Sequence, residues 1–379
     1  MTLLLLNILF LVFALYVIIN LVLVYFAREE FPYQIVPDKK FPHVSVILPV
    51  RNEEDNVTAC VEAVMEQDYP EDRFQLIVVN DNSTDNTAVL LKKLQKKYRG
   101  MIVVNAPGLP AGWTGKSHAC HLGSKKAKGA WLVFLDADVT AGKSLLRYAV
   151  SFVLQNKMDL LSLSPFQKLV SVGEKFLLPG IFFELAFSMK FRDINNPEKT
   201  DSLANGQFMM FNSGAYKKLG GHEAVRGHVM DDVSIAELFK SNGRETRLVF
   251  AEKLLSVRMY TGFGSVWKGF SKNLTDVVKA DSVAAMLVPV AVALIQSLAV
   301  FIVPLLTYHF SPNISVFYLS LFSMSLIVSA WAGSIISYFK ISPVYVLAFP
   351  FSLVIYVLLL FVSFYKKKNH QREWRGRFD

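Results

Sequence analysis

WLVFLDADVT, residues 131–140, is the stretch whose reading decides the fold. Trp131-Leu-Val-Phe-Leu135 is an unbroken apolar run, which predicts a strand buried on both faces. Asp136 and Asp138 follow at once. Two carboxylates one residue apart do not belong in a core, where like charges in low dielectric cost far more than they return. At the carboxyl end of a strand in an open α/β sheet they face the ligand crevice. There they suit a hard divalent cation, which takes carboxylate oxygens and keeps substrate phosphates as its other ligands. The plainer alternative makes Asp138 an N-cap for a helix over 144–154.

Outward from this stretch the chain alternates. Val44–Pro49 reads as a strand stopped by Pro, followed by Arg51-Asn52-Glu53-Glu54 and a helix from Val57 that Asn56 is placed to cap. Gln75–Val79 reads as a strand that ends in Asn80-Asp81-Asn82-Ser83-Thr84-Asp85, then a Lys-rich helix over Thr87–Tyr98. A third strand, Met101–Asn105, precedes a Gly/Pro loop and a helix with Lys116 near its start. This β-α order predicts a mostly parallel α/β sheet, with three polar clusters falling at three strand ends. Gly115-Lys116-Ser117 is not a P-loop, because the required upstream glycine is Pro110, which has no N–H to offer a phosphate. Lys116 can still meet a phosphate near a helix start.

Farther on, Asn205-Gly206-Gln207 precedes an apolar strand, and Asp231-Asp232 opens a helix over 233–241. Asp232 suits either a helix cap or a general base. His222 and His228 lie in loops and read as structural or ligating residues, with Arg226 between them. Arg258, Tyr260 and Trp267 lie just before the last apolar region, suited to a diphosphate or to an interfacial belt. The segment 166–191 is rich in Phe and Leu but carries Glu174, Lys175, Glu184 and Lys190. It reads either as a core helix or as one lying in the headgroup region.

Hydrophobicity is uneven along the 379 residues. Residues 1–27 read as a retained transmembrane anchor and 28–282 as the catalytic-type domain with interfacial segments. Residues 283–365 read as C-terminal membrane helices and 366–379 as a basic tail. Arg28 after the anchor and the Lys/Arg-rich domain place that domain in the cytoplasm of a multi-pass cell-membrane protein. Three crossings after residue 283 would put the basic tail outside. Pro289 and Pro304 in 284–307 mark that stretch as re-entrant or interfacial, which keeps the tail inside. Cys60 and Cys120 are the only cysteines, too few for a disulfide framework or a zinc cluster. The net charge of +9 suits an anionic leaflet, and no motif points to a nucleic acid.

Taken together, Pro49-x-Arg51-Asn52-Glu53-Glu54, Asn80–Asp85, Gly115-Lys116, Asp136-Ala-Asp138 and Asp231-Asp232 resemble the inverting family 2 glycosyltransferases, over residues 44 to about 240. Gly112–Ala119, Asn205–Phe208, Gly220-Gly-His222 and Trp374–Phe378 are similar to a membrane-anchored branch. That branch includes diaponeurosporenoate glucosyltransferases and hopanoid-associated glycosyltransferases. The resemblance implies a GT-A fold, Rossmann-like, with a UDP-sugar donor. By motif, Pro49, Asn52 and Glu53 would line the nucleoside pocket, Asp81 would face the uracil, and Lys116 and Asp136 would contact the nucleotide-sugar. Asp138 would ligate Mg²⁺ or Mn²⁺, and Asp232, beside Asp231, would be the base. Asn205, Gln207, His222, Arg226, Arg258, Tyr260 and Trp267 remain candidates for the acceptor or the diphosphate. The Gln-x-x-Arg-Trp motif of processive members is missing before the membrane region, which favours a single transfer to a lipid-soluble acceptor such as a carotenoid acid. Transfer to polyprenyl phosphate is the enzymatic alternative, and a nucleotide-sugar-binding scaffold is the non-enzymatic one.

Overall fold

A computed structural model describes residues 2–37, 41–188, 191–369, 373–374 and 377–378. The basic tail falls largely outside these. Of the Trp374–Phe378 motif, only the antiparallel pairing of Glu373-Trp374 with Arg377-Phe378 is described.

The chain opens with α1 (Thr2–Ala27), then enters the sheet through β1 (Val44–Val50). The alternation continues through α2 (Val57–Met65), β2 (Phe74–Asn80), α3 (Thr87–Lys97), β3 (Ile102–Asn105), α4 (Gly115–Lys126) and β4 (Trp131–Leu135). Strands β3-β2-β1-β4 are mutually parallel, as the βαβ order dictates. All five residues of β4 are buried, as an apolar run in the middle of a covered sheet should be. The turn from α4 into β4 must pass close to β1. A Cβ on Gly129 would lie 2.6 Å from the backbone N of Ser45, so this crossing requires glycine.

After β4 the chain makes β5 (Val139–Ala141), α5 (Leu145–Gln155), β6 (Leu160–Ser164), β7 (Phe166–Gln167), α6 (Val172–Ser188) and α7 (Phe191–Ile194). It then returns through β8 (Phe208–Asn212), α8 (Ser213–Lys218), α9 (Gly221–Ala224), α10 (Asp231–Ser241), β9 (Thr246–Phe250) and β10 (Leu255–Val257). Strand β8 inserts antiparallel between β4 and β6, completing the order β3-β2-β1-β4-β8-β6-β9. A second, three-stranded sheet, β5-β10-β7, begins immediately after Asp138. The short strands β5, β7 and β10 carry too little periodicity for this sheet to be read in advance.

The remaining elements are α11 (Phe263–Val277), α12 (Val283–Phe310), α13 (Ile314–Ser334) with a π-helical end over 335–339, a 3₁₀ segment over 343–348, and α14 (Phe349–Lys368). A separate apolar cluster joins α1, α6 and α11–α14. Helix α6 contributes Leu177, Leu178 and Ile181 to it, so the Phe-rich segment packs against the membrane helices and not into the sheet core. Two local expectations change. Asn56 makes no side-chain cap to α2 and instead donates to Glu53 Oε2 at 2.9 Å. Asp138 does not cap α5, because β5 stands between them.

Candidate active site

The site is built where strands end. After β1, Asn52 adopts a left-handed backbone (φ 52°), which Asn tolerates through local hydrogen bonding. Its Oδ1 accepts from Thr84 N at 2.8 Å, tying the β1 turn to the β2 turn. Arg51 reinforces that tie, donating through Nη1 to the carbonyls of Asp81 (2.7 Å) and Asn82 (3.0 Å). Glu53 N donates to Thr87 Oγ1 at 2.9 Å. Asp81 is buried at the end of β2. Thus Pro49, Asn52 and Glu53 from the β1 turn and Asp81 from the β2 turn form one rim.

A cavity at this rim is lined by Pro49, Arg51, Glu53, Lys116, Asp136 and Asp138. Three carboxylates face two cations there, leaving one net negative charge. Lys116 Nζ lies 2.7 Å from Asp136 Oδ1 and 2.9 Å from Oδ2. Burial works against the ammonium, but Asp136 and then Asp231 hold it protonated. Lys116 is aimed by the N-cap of α4, where Thr114 Oγ1 accepts from Ser117 N at 3.3 Å and Thr114 N donates to Arg226 O at 2.7 Å.

The turn Asn205-Gly206-Gln207 joins the two acidic pairs. Asp136 N donates to Gln207 O at 3.2 Å, and Gly206 N donates to Asp232 Oδ2 at 3.0 Å. A side chain at 206 would sit 3.1 Å from Asp232 Oδ2 and 3.2 Å from Lys116 Nζ, so this carboxylate and this ammonium converge on one spot. Asn205 Oδ1 accepts from Gln207 N at 3.0 Å and holds the turn. Ser117 Oγ donates to Asp231 Oδ2 at 3.3 Å. Burial raises both the Asp231 and Asp232 carboxyls, against the lowering pull of Lys116, and Asp231 reaches about 6. The bridging roles of Gly206 and Ser117 escaped the sequence reading. Thr114-x-x-Ser117 ahead of α4 was the available signal for the second.

The other candidates lie at different distances from this point. His222 is fully buried, with Nδ1 2.6 Å from Tyr216 Oη and its ring 4.6 Å from that of Phe134. Burial lowers its pKa to about 3, so it is a neutral part of the sheet core. Arg226 has an exposed side chain, and its backbone supports the Lys116 turn. His228 pairs with Ser234, Nδ1 to Oγ 2.6 Å. Arg258 is held by the buried Glu174 (Nη2 to Oε1, 2.9 Å). Tyr260 packs on the membrane-side cluster. Its phenol is raised by burial and then by the charge of Asp138, and its ring packs on Phe270 at 5.5 Å. Trp267 stacks on Phe263 against the membrane-side cluster.

The donor set fits a hard cation. Asp136, Asp138 and Glu53 offer carboxylate oxygens on one cavity. No ready cluster of three His, Cys, Asp or Glu ligands occurs among the described residues. Carboxylate oxygens are the donors a magnesium-type ion takes, with substrate phosphates as its other ligands. Both cysteines are buried, and burial raises their thiols, so neither supplies a thiolate.

An open, mostly parallel sheet with acidic pairs at its crevice defines a GT-A-like α/β class of fold. Residues 45–220 match the family model "Glycosyl transferase family 2". A curated relative, the 4,4'-diaponeurosporenoate glycosyltransferase of Staphylococcus aureus (strain USA300), is 28% identical over 237 residues, covering 61% of this chain and 60% of that protein. The matched part thus spans about three-fifths of the relative's length. The structure of the mannosyltransferase PcManGT from Pyrobaculum calidifontis, in complex with GDP-Man and Mn²⁺, is similar with a TM-score of 0.51 at 16% identity. That alignment covers 95% of this chain and 99% of the other, and it bears out the GT-A-like architecture.

Proposed function

We propose that this protein is an inverting glycosyltransferase that moves one sugar from a UDP-sugar onto a lipid-soluble acceptor at the cytoplasmic face of the membrane. The observation that carries the reading is the convergence of Lys116, Asp136 and Asp232 around Gly206, beside the cavity lined by Asp138. Glycosyl transfer needs a stabilised leaving diphosphate and a carboxylate at the opposite face of the sugar. This arrangement offers both within one crevice.

Asp138 and Asp136 would hold a divalent ion, Mg²⁺ or Mn²⁺, which when bound neutralises charge on the diphosphate. Lys116 adds a second positive charge on the same group. Pro49, Asn52, Glu53 and Asp81 shape the nucleoside end. Asp232, oriented by the N–H groups of Gly206 and Val233, accepts the acceptor's proton. Its raised pKa makes it a better base than an exposed aspartate. If the acceptor is a carboxylic acid, already ionised near neutral pH, Asp232 orients it without taking a proton. The relative named for diaponeurosporenoate supports an isoprenoid acid as the acceptor class, and the apolar helices beside the site support delivery from the bilayer.

The test is donor turnover by purified protein in detergent with Mn²⁺ and total membrane lipid. UDP release from a UDP-sugar, lost on chelation and in Asp138→Ala, supports the reading. Release of GDP from a GDP-sugar in preference to UDP would overturn the donor assignment.

A further inference from the structure

The geometry points to a last apolar stretch, 343–368, that enters and leaves the membrane on the side of the catalytic domain and docks the domain on its adjacent leaflet. By length and composition alone four helices qualify as spans, namely Thr2–Ala27, Val283–Phe310, Ile314–Phe339 and Pro343–Lys368. The contacts separate the fourth from the other three.

Strands from Val44 to Phe250 share one sheet, so everything between them lies on one side of the membrane. Helix α1 meets the sheet domain at its end, where Arg28 Nη2 reaches Glu252 Oε1 at 2.5 Å. The π-helical end of α13 leads to Lys340, whose Nζ lies 3.1 Å from Glu252 Oε2 and 4.8 Å from the Phe166 ring centroid. Helix α12 leaves the sheet domain after Lys279, which reaches Glu237 of α10 at 3.5 Å. The stretch 343–368 is tied at both ends. It starts three residues after Lys340. It finishes where Lys366 Nζ donates to Ser271 Oγ at 2.8 Å and Lys367 pairs with Asp276 (2.7 Å) and with Asp281, just before α12.

The turning point also has a measurable depth. Ser297, midway along α12, donates to the carbonyl of Pro350 at 2.8 Å. Gln296 beside it donates to Glu184 of α6 at 2.6 Å. From Ser297 to the far end of α12 at Phe310 is about 20 Å at the helical rise. Pro350 therefore lies between the two ends of α12, inside the hydrocarbon core and short of its far side. From there α14 climbs back beside α12, with Thr275 N donating to Ser363 Oγ at 3.2 Å near its end. One face packs on α6 and α11. The other exposes Phe351, Val354, Leu358, Phe361 and Tyr365 at three- and four-residue spacing. The occupant of that stripe is the acyl region of the near leaflet, continuous with the lipid faces of α12 and α13. The exposed Lys368 at its exit suits anionic headgroups.

This arrangement also resolves the parity of the membrane part. Helices α1, α12 and α13 cross, and α14 ends at Lys368 on the side of the catalytic domain. The stretch that fails to cross is therefore the last one. The sequence reading assigned that role to 284–307 on its prolines, but α12 accommodates Pro289 and Pro304 within one helix.

The test places single cysteines in a Cys60→Ala/Cys120→Ala background and labels sealed vesicles of both orientations with an impermeant maleimide. Lys96→Cys marks the domain and Pro312→Cys the α12–α13 turn. Ser342→Cys and Asn369→Cys should react from the same side as Lys96→Cys, and Pro312→Cys from the other. Reaction of positions 342 and 369 from opposite sides would overturn the proposal. A spin label at Leu358→Cys, read by paramagnetic relaxation in nanodiscs, gives an independent check. Higher accessibility to oxygen than to a soluble nickel complex is expected. Protection from both, with spin–spin broadening, would place a second copy of the chain on the stripe and overturn the lipid assignment.

Discussion

Asp232 and Asp231 differ in what holds them, although they are neighbours in sequence. Asp232 accepts from Gly206 N and Val233 N, whereas Asp231 accepts from Ser117 Oγ and from the N–H of Asp232. An Asp232→Asn enzyme keeps the shape and loses the basic oxygen. Its kcat with a hydroxyl acceptor should fall by about 10²–10⁴-fold, with donor KM changed far less. Initial rates at saturating donor measure this. The raised carboxyls also set the direction of a pH dependence. A base works unprotonated, so the raised pKa of Asp232 moves the loss of activity upward, and the acidic limb should lie above the ordinary aspartate range. Asp231→Asn removes a like charge beside Asp232 and should shift that limb to lower pH. An unmoved limb would mean that another group sets it. At this scale the acidic pairs were legible because carboxylates after an apolar run have few other uses. His222 was not, since a loop histidine and a core histidine look alike until Tyr216 and Phe134 are seen around it.

The elements were legible in proportion to their periodicity. Strands β1, β2 and β4 and helices α3, α4 and α10 fall within a residue or two of where pattern and caps put them. The β5-β10-β7 sheet was invisible because its strands are two or three residues long and join distant parts of the chain. The Glu174–Arg258 pair that braces two of its exits was equally hidden, since neither sequence neighbourhood names the other. The turn into α9 provides a stability test. Gly221 has φ 50°, and a side chain there would run into the Tyr216 ring that holds His222. Gly243 has φ 66° with nothing within 4 Å of a Cβ. Gly243→Ala should therefore cost only the left-handed backbone penalty, about 1–2 kcal/mol. Gly221→Ala should cost more, because Tyr216 must also move. Thermal unfolding in detergent, compared between the two variants, checks the order. Equal losses would mean that Tyr216 yields freely.

At the scale of the molecule, two apolar assemblies meet. One is the sheet core, and the other joins α1, α6 and α11–α14. Composition alone separated the polar domain from the apolar ends. It could not say which apolar stretch turns back, because that depends on Lys366 and Lys367 finding Ser271, Asp276 and Asp281 about 90 residues away. Tyr260 marks the junction, packed toward the membrane-side cluster and close enough to feel the charge of Asp138. The account therefore puts the sugar's leaving group in the polar domain and the acceptor's apolar body beside the helices. The most direct test is the mass of the lipid product. Wild-type protein with a UDP-hexose, Mn²⁺ and extracted isoprenoid acids should yield a lipid heavier by one hexose, and Asp138→Ala should yield none. Repeated additions to one lipid, or an equal product from Asp138→Ala, would contradict a single transfer at this site.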